Sequence, residues 1–256
     1  MNKRAMVIIF LIAAIITSLC PAAEAASKKK ERAASQKSAY KAPDTKKFPL
    51  LKGNYWVYDT AIRVHNEANP EKPIEAKITL KMEVLEAYAC KNFIAALVKG
   101  YPGNLSWYEN GREDSKAVII YSQPDGYFVA TVEERINEII EKFQNGKFSE
   151  KDLSKLADWQ IIQLPLEVGK TYFSDPSDTE TTYRWQVAEK VQMDVTGIPG
   201  LKDRKTATTY TLMYRTNPDH TIIGFTPGIG ITHYTYQHHG TVSDVDAKLV
   251  EVNLNQ

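Results

Sequence analysis

The side chains best suited to chemistry are few. The chain has five histidines: His65, His220, His233, His238 and His239. A zinc site needs three or four ligands converging at about 2 Å, and no Cys or His-x-x-x-His spacing supplies them. His238-His239 before Gly240 reads as a turn-exposed pair. On an extended chain His233, Thr235 and Gln237 share one face, while Tyr234, Tyr236 and His238 share the other. Asp244 and Asp246 lie on one strand face near this turn. A weak cation site competes there with interstrand pairing to Lys248 or other lysines, and pairing is the preferred reading.

Nucleotide and nucleophile signatures are missing. Gly228-Ile229-Gly230 lacks the further glycines and the helix start of a phosphate loop, and strand residues follow it. There is no Gly-x-Ser-x-Gly elbow. Glu133-Glu134 falls on a helix, where a solvated face explains it. A glycosidase pair stays open, because its carboxylates need only meet in space. No catalytic residue, metal or cofactor is implied. The remaining chemistry is aromatic: Trp56, Tyr58, Trp107, Trp185, Tyr234 and Tyr236 are the candidate ligand-binding residues, against core or cross-strand packing as the alternative.

Short strands must position these rings. Ile78 to Val84 alternates apolar and polar, as a half-buried strand does. Asn110-Gly111 after Trp107-Tyr108 is a hairpin signal, since both turn residues tolerate positive φ. Val118–Tyr121 and Tyr127–Val132 flank Pro124-Asp125-Gly126, and Thr208–Arg215 and Thr221–Phe225 flank Asn217-Pro218-Asp219. Ile229–Gln237 turns at His238-His239-Gly240 into a last strand, Val242–Val252. Such short connections predict an antiparallel meander.

Helical spacing breaks the pattern once. Val132, Ile136, Ile139, Ile140 and Phe143 recur on one face up to Asn145-Gly146, and Ser149 opens a second helix carrying Leu153, Leu156 and Trp159. This pair must cover something, most simply one face of the sheet.

An internal echo joins the two sides. Phe48-Pro49-Leu50, Gly53, Tyr55-Trp56 and Asp59 share a plan with Leu164-Pro165-Leu166, Gly169, Tyr172-Phe173 and Asp175. Met82-Glu83-Val84-Leu85-Glu86 likewise resembles Trp185-Gln186-Val187-Ala188-Glu189. The expected fold is α+β, mainly antiparallel β. It is a curved sheet, or half-open barrel, of two related halves (about 48–131 and 164–256), with a helical insert at about 132–160 in a single domain spanning 48–256.

The first residues are an address. Lys3 and Arg4 precede an apolar run from Met6 to Leu19, and Ala23-Glu24-Ala25 offers a signal-peptidase site, so residues 1–25 read as a signal peptide. An uncleaved anchor over Ala5–Ala23 and a lipid attached at Cys20 are the alternatives, the latter disfavoured by Leu19. The product is expected in the periplasm or outside the cell. After cleavage Cys90 is the one remaining thiol, and its apolar neighbours predict burial. Residues 26–47 carry Lys28, Lys29, Lys30, Arg32, Lys37, Lys41, Lys46 and Lys47 against Glu31 and Asp44, a net +6, while residues 48–256 carry −6. Rich in Ala, Ser and Lys, this basic linker cannot repay the entropy of ordering. A spacer is the preferred reading, with contact to anionic membrane or cell-wall polymers as the alternative. An acidic domain behind it argues against nucleic acid as a partner.

Phe-Pro-Leu-x-x-Gly-Asn-x-Trp-x-Tyr at Phe48–Tyr58 and Pro-Gly-Ile-Gly-Ile at Pro227–Ile231 resemble segments of an uncharacterised group of exported bacterial proteins and lipoproteins. The resemblance implies compartment and β architecture only. The curved sheet with a helical cover is also similar, as a fold-level analogy, to periplasmic lipoprotein carriers. The expected function is a non-enzymatic envelope module whose sheet and helices shelter an apolar ligand or a partner segment. A solidly packed structural or interaction protein is the alternative, and a hydrolase of envelope polymers a weaker one.

Overall fold

The computed structural model describes residues 48–255 except 67, 70, 105–114, 176–182, 202, 203, 218 and 240–242. The signal peptide, the basic linker, the Asn110-Gly111 turn and Trp107 therefore lie outside the described residues.

Phe48 begins an irregular segment that leads into β1 (Tyr55–Val64), β2 (Ile74–Cys90), β3 (Phe93–Lys99), β4 (Lys116–Ser122) and β5 (Gly126–Ala130). Two helices follow, α1 (Glu133–Gln144) and α2 (Glu150–Leu156). Then come β6 (Trp159–Gln163), β7 (Thr171–Tyr172), β8 (Trp185–Asp194), β9 (Thr206–Arg215), β10 (Asp219–Thr226), β11 (Gly230–His238) and β12 (Ser243–Asn253). The twelve strands of the described residues form one sheet, in the order β6-β5-β4-β3-β2-β1-β12-β11-β10-β9-β8-β7. Every pairing is antiparallel.

That order is two six-stranded meanders laid side by side and joined where β1 pairs with β12. The sequence echo marks the start of each. Gly53 (φ +83°) and Gly169 (φ +89°) take a left-handed conformation that other residues rarely adopt. Each turns its amide onto the next strand but one: Gly53 N–H donates to Val84 O at 2.9 Å, and Gly169 N–H to Val187 O at 2.8 Å. The return bonds match, Val84 N–H to Asn54 O and Val187 N–H to Lys170 O, both 2.9 Å. The register slips at equivalent places too, between Val84 and Glu86 on β2 and between Val187 and Glu189 on β8. Repeated bulges increase local twist, so both halves curl alike.

Curling brings the two edges together. Gln160 N–H on β6 donates to Ser174 O at 2.6 Å, and Tyr172 Oη–H on β7 donates to Ile161 O at 2.9 Å. The sheet is thus nearly closed into a barrel, which limits the exposed edge that an open sheet would leave.

The two faces of the sheet are filled differently. On the inner face Phe48 packs edge-on against Trp56, Tyr127 and Phe225, with ring centroids 5.3, 5.9 and 5.8 Å away. On the outer face Ile136, Ile139, Phe143, Phe148, Leu153 and Leu156 from the helical pair pack on Cys90, Phe93, Ala95, Val118, Ile120, Phe128 and Ala130. Strand β4 is covered on both sides, which is why Ala117–Tyr121 reads as an unbroken apolar run. Ser149 caps α2 by accepting from Asp152 N–H at 3.3 Å. Cys90 is buried in this layer, its thiol 3.7 Å from Phe148 O.

Candidate functional site

The helical pair packs its apolar side chains on the outer face of β2 to β5, and a groove of about 270 Å³, lined by Phe128, Glu150, Leu153, Asp158 and Gln160 among others, remains at its α2 edge. Further space opens on the inner face of the sheet, beside the β9–β10 turn. There a cleft of about 310 Å³ is bounded by Tyr101, Trp159, Trp185, Tyr214, Tyr234 and Tyr236, with Ile161, Ile223, Thr221 and Asp219 among the other walls.

Alternation places most of these rings. Tyr234 and Tyr236 occupy alternate positions on β11, so both point to the inner face, as do Ile223, Thr221 and Asp219 on β10. Trp185 on β8 lies between Tyr172 on β7 and Tyr214 on β9 in the strand register. Its ring stacks nearly parallel to Tyr172 (6.3 Å, 10°) and tilted against Tyr214 (5.3 Å, 32°). With both neighbours across its faces, Trp185 offers the cleft its edge. It is 4 % exposed, and its buried indole N–H meets no acceptor. Half-exposed Trp159 stands at the rim.

Asp219 is the one charged group lining the cleft among the described residues. Tyr236 Oη–H donates to its Oδ1 at 2.8 Å, His238 Nδ1 lies 2.7 Å from the same oxygen, and Thr216 Oγ1 is 3.4 Å from Oδ2. Burial alone would raise the Asp219 carboxyl, but the hydrogen bonds from His238 and Tyr236 outweigh it and hold the group below its ordinary value. Both strong donors meet one oxygen, so the cluster locks the β11 side chains onto the β9–β10 turn. His238 is therefore a half-buried partner of Asp219 rather than part of a turn-exposed pair. A glycosidase would need two carboxylates across the cleft, and the described lining supplies one.

Other predicted residues are distributed differently. Trp56 and Tyr58 are wholly buried in the inner core, outside the cleft lining. Trp56 Nε1–H donates to Ile229 O at 2.6 Å and Tyr58 Oη–H to Ile231 O at 3.0 Å, so both are spent on packing. Gly230 (φ +112°) lies against Phe48 and Trp56: a Cβ there would come within 2.4 Å of the Phe48 ring. Trp185, Tyr234 and Tyr236 do come together. Trp159, read as continuing the second helix, instead opens β6, because that helix ends at Leu156, and Tyr101, Tyr214 and Asp219 were not read as site residues. For Tyr214 and Asp219 the signal was present, because alternation puts them on the face opposite their outward neighbours.

The outward face of β11 and β12 is ionic. His233 Nε2 lies 2.6 Å from Asp246 Oδ1 and 3.0 Å from Thr235 Oγ1, and Lys248 Nζ lies 2.9 Å from Asp246 Oδ2. The hydroxyl and the carboxylate meet the same ring nitrogen. Asp244 faces Arg63 at 3.9 Å. Asp246 thus pairs across strands with His233 and along its own strand with Lys248, while the cross-strand partner of Asp244 is Arg63 rather than a lysine. Among the described residues no three His, Cys, Asp or Glu side chains gather closely enough to hold a metal ion.

No family model matches the sequence, and no curated protein matches it significantly. Two solved structures show a distant likeness. One is a protein of Bacteroides fragilis assigned as exported and described as having a YmcC-like fold (11 % identity, TM-score 0.37, covering 80 % of this chain and 98 % of that one). The other is a protein of Parabacteroides distasonis assigned as a lipoprotein (10 % identity, TM-score 0.38, covering 80 % and 97 %). Scores of this size fall short of a shared fold, and nothing about this protein rests on them.

Proposed function

We propose that this protein is an exported, non-enzymatic binding module that holds a small apolar ligand in the aromatic cleft of its curved sheet. The cleft carries the reading. It is concave and mostly apolar, with a few fixed polar groups, and its volume lies at the lower end of ordinary ligand sites. The leader pattern at residues 1–25 supports delivery beyond the cytoplasm, to the periplasm or the exterior.

Native mass spectrometry of the mature protein, before and after solvent extraction, tests the reading. A bound small molecule removed by extraction is the expected result, and loss of its retention in Tyr234→Ala would place it in the cleft. Bare protein that also fails to bind apolar probes would overturn the proposal. The structural alternative, an interaction protein, draws support from the solid packing around Phe48, which leaves most of the inner face filled. In that case a pull-down should recover an envelope partner. The basic linker is proposed as a spacer. If it instead grips an anionic surface, deleting residues 26–47 should release the protein from the envelope fraction.

A further inference from the structure

The first half of β2 has a single neighbour. It pairs with β1 from Ile74 to Glu83, but β3 joins it only from Glu83 onward. Ile74, Glu75, Ala76 and Lys77 are exposed in succession, Ile74 by 53 %, so no described segment covers that edge. The hydrogen bonds say which groups it leaves open. Gly53 N–H donates to Val84 O and Val84 N–H to Asn54 O, which makes Asn54 and Val84 a bonded pair. Down the unshifted register Met82, Leu80, Ile78, Ala76 and Ile74 then bond to β1. The N–H and C=O groups of Glu75, Lys77 and Thr79 therefore point away from it. Gly100 backs onto Lys81 O, a Cβ there standing 2.2 Å from it, so the open stretch ends before Lys81.

An open edge is a template for another strand, and charges on it usually keep other strands away. Here the charges select one register of self-pairing. With two β2 edges antiparallel about a twofold axis at Ala76, Glu75 opposes Lys77 of the second copy, and Lys77 opposes its Glu75. Each such pair exchanges both backbone N–H···O bonds and adds an ion pair. Glu75 is free to join it, being 74 % exposed with Arg63 no nearer than 3.6 Å. On the other face Ile74 meets Ile78, and Ala76 meets itself. Sliding one bonded step either way sets Glu75 against Glu75 or Lys77 against Lys77, where like charges repel. A second step meets Gly100 in one direction and Pro73, which has no N–H, in the other. We propose that two copies of this protein join edge to edge through β2 in this register, forming a twofold dimer with a continuous sheet across the axis.

Sedimentation velocity of the mature protein from about 1 µM to about 1 mM, the range of a weak dimer with a short interface, tests this. A monomer–dimer equilibrium is expected, with amide exchange at Glu75 and Lys77 slowing as the concentration rises. Glu75→Lys or Lys77→Glu should each weaken association about tenfold, because the twofold axis makes every change act twice. The double exchange, Glu75→Lys with Lys77→Glu, restores opposite charges and should restore the dimer. Both side chains are exposed, so circular dichroism should show all three variants folded. A monomer throughout the range overturns the proposal, as does a dimer indifferent to the single changes or one that the double exchange fails to restore. Protection of these amides that appears only when another envelope protein is added would also overturn it, since the edge would then serve a different chain.

Discussion

Trp56 and Trp185 carry the same indole N–H into the inner core, and the structure uses them in opposite ways. Trp56 donates to Ile229 O, so Trp56→Phe strands a buried carbonyl and should cost about 2 kcal/mol of stability, read by urea denaturation. At Trp185 the same replacement removes a donor that has no acceptor, so stability should hold or rise. Gly230→Ala should be more damaging than either. It combines a left-handed φ with a Cβ driven into Phe48, and a loss of about 3 kcal/mol or more is expected in the same assay. Asp219 adds a pH signature. Its folded carboxyl sits below the ordinary value of 3.8, so its contribution is whole above that value and is lost as the pH falls through the lowered one. Asp246 and Asp152 shift in the same direction. The thermal midpoint of Asp219→Asn should therefore fall less steeply than the parent's below about pH 4.

At the scale of elements, the strands and helices were legible because their periods differ. Alternation marked β2, the turn residues between them marked β9 to β12, and the 3.6-residue spacing of Ile136, Ile139 and Phe143 marked α1. The Ser149 cap was readable from its own three-residue spacing to Asp152, and Ser149→Ala should cost about 1 kcal/mol. Phe148 was not singled out, because it lies between the helices where no period applies. Yet it is wholly buried, stacks on Phe143 at 4.4 Å and meets Phe93 at 5.1 Å. Phe148→Ala should cost about 3–5 kcal/mol and detach the helical pair, visible as faster amide exchange over α1 and α2 while β8 to β12 stay protected.

The whole molecule is two similar meanders that share a long seam at β1–β12 and touch again at β6 and β7. The echo of Phe48–Asp59 in Leu164–Asp175 announced this duplication, because a glycine that must turn left and a following aromatic strand leave a local imprint. Export belongs to the same scale. Sequencing the secreted product should begin at Ala26, and a retained leader would replace the free protein with an anchored one. What the sequence determined alone was therefore local or repetitive: the strand and helix periods and the doubled plan. The tertiary structure decided which region of the curled sheet's inner face would be plugged and which would stay open. Phe48 and Trp56 close one region of the inner face, whereas Tyr101, Trp159, Trp185, Tyr214, Tyr234 and Tyr236 arrive from four strands and a loop to line the other. The strand period says which residues share a face, but the same period describes a filled face and a hollow one. Only the curvature that brings β6 against β7 sets the space between them.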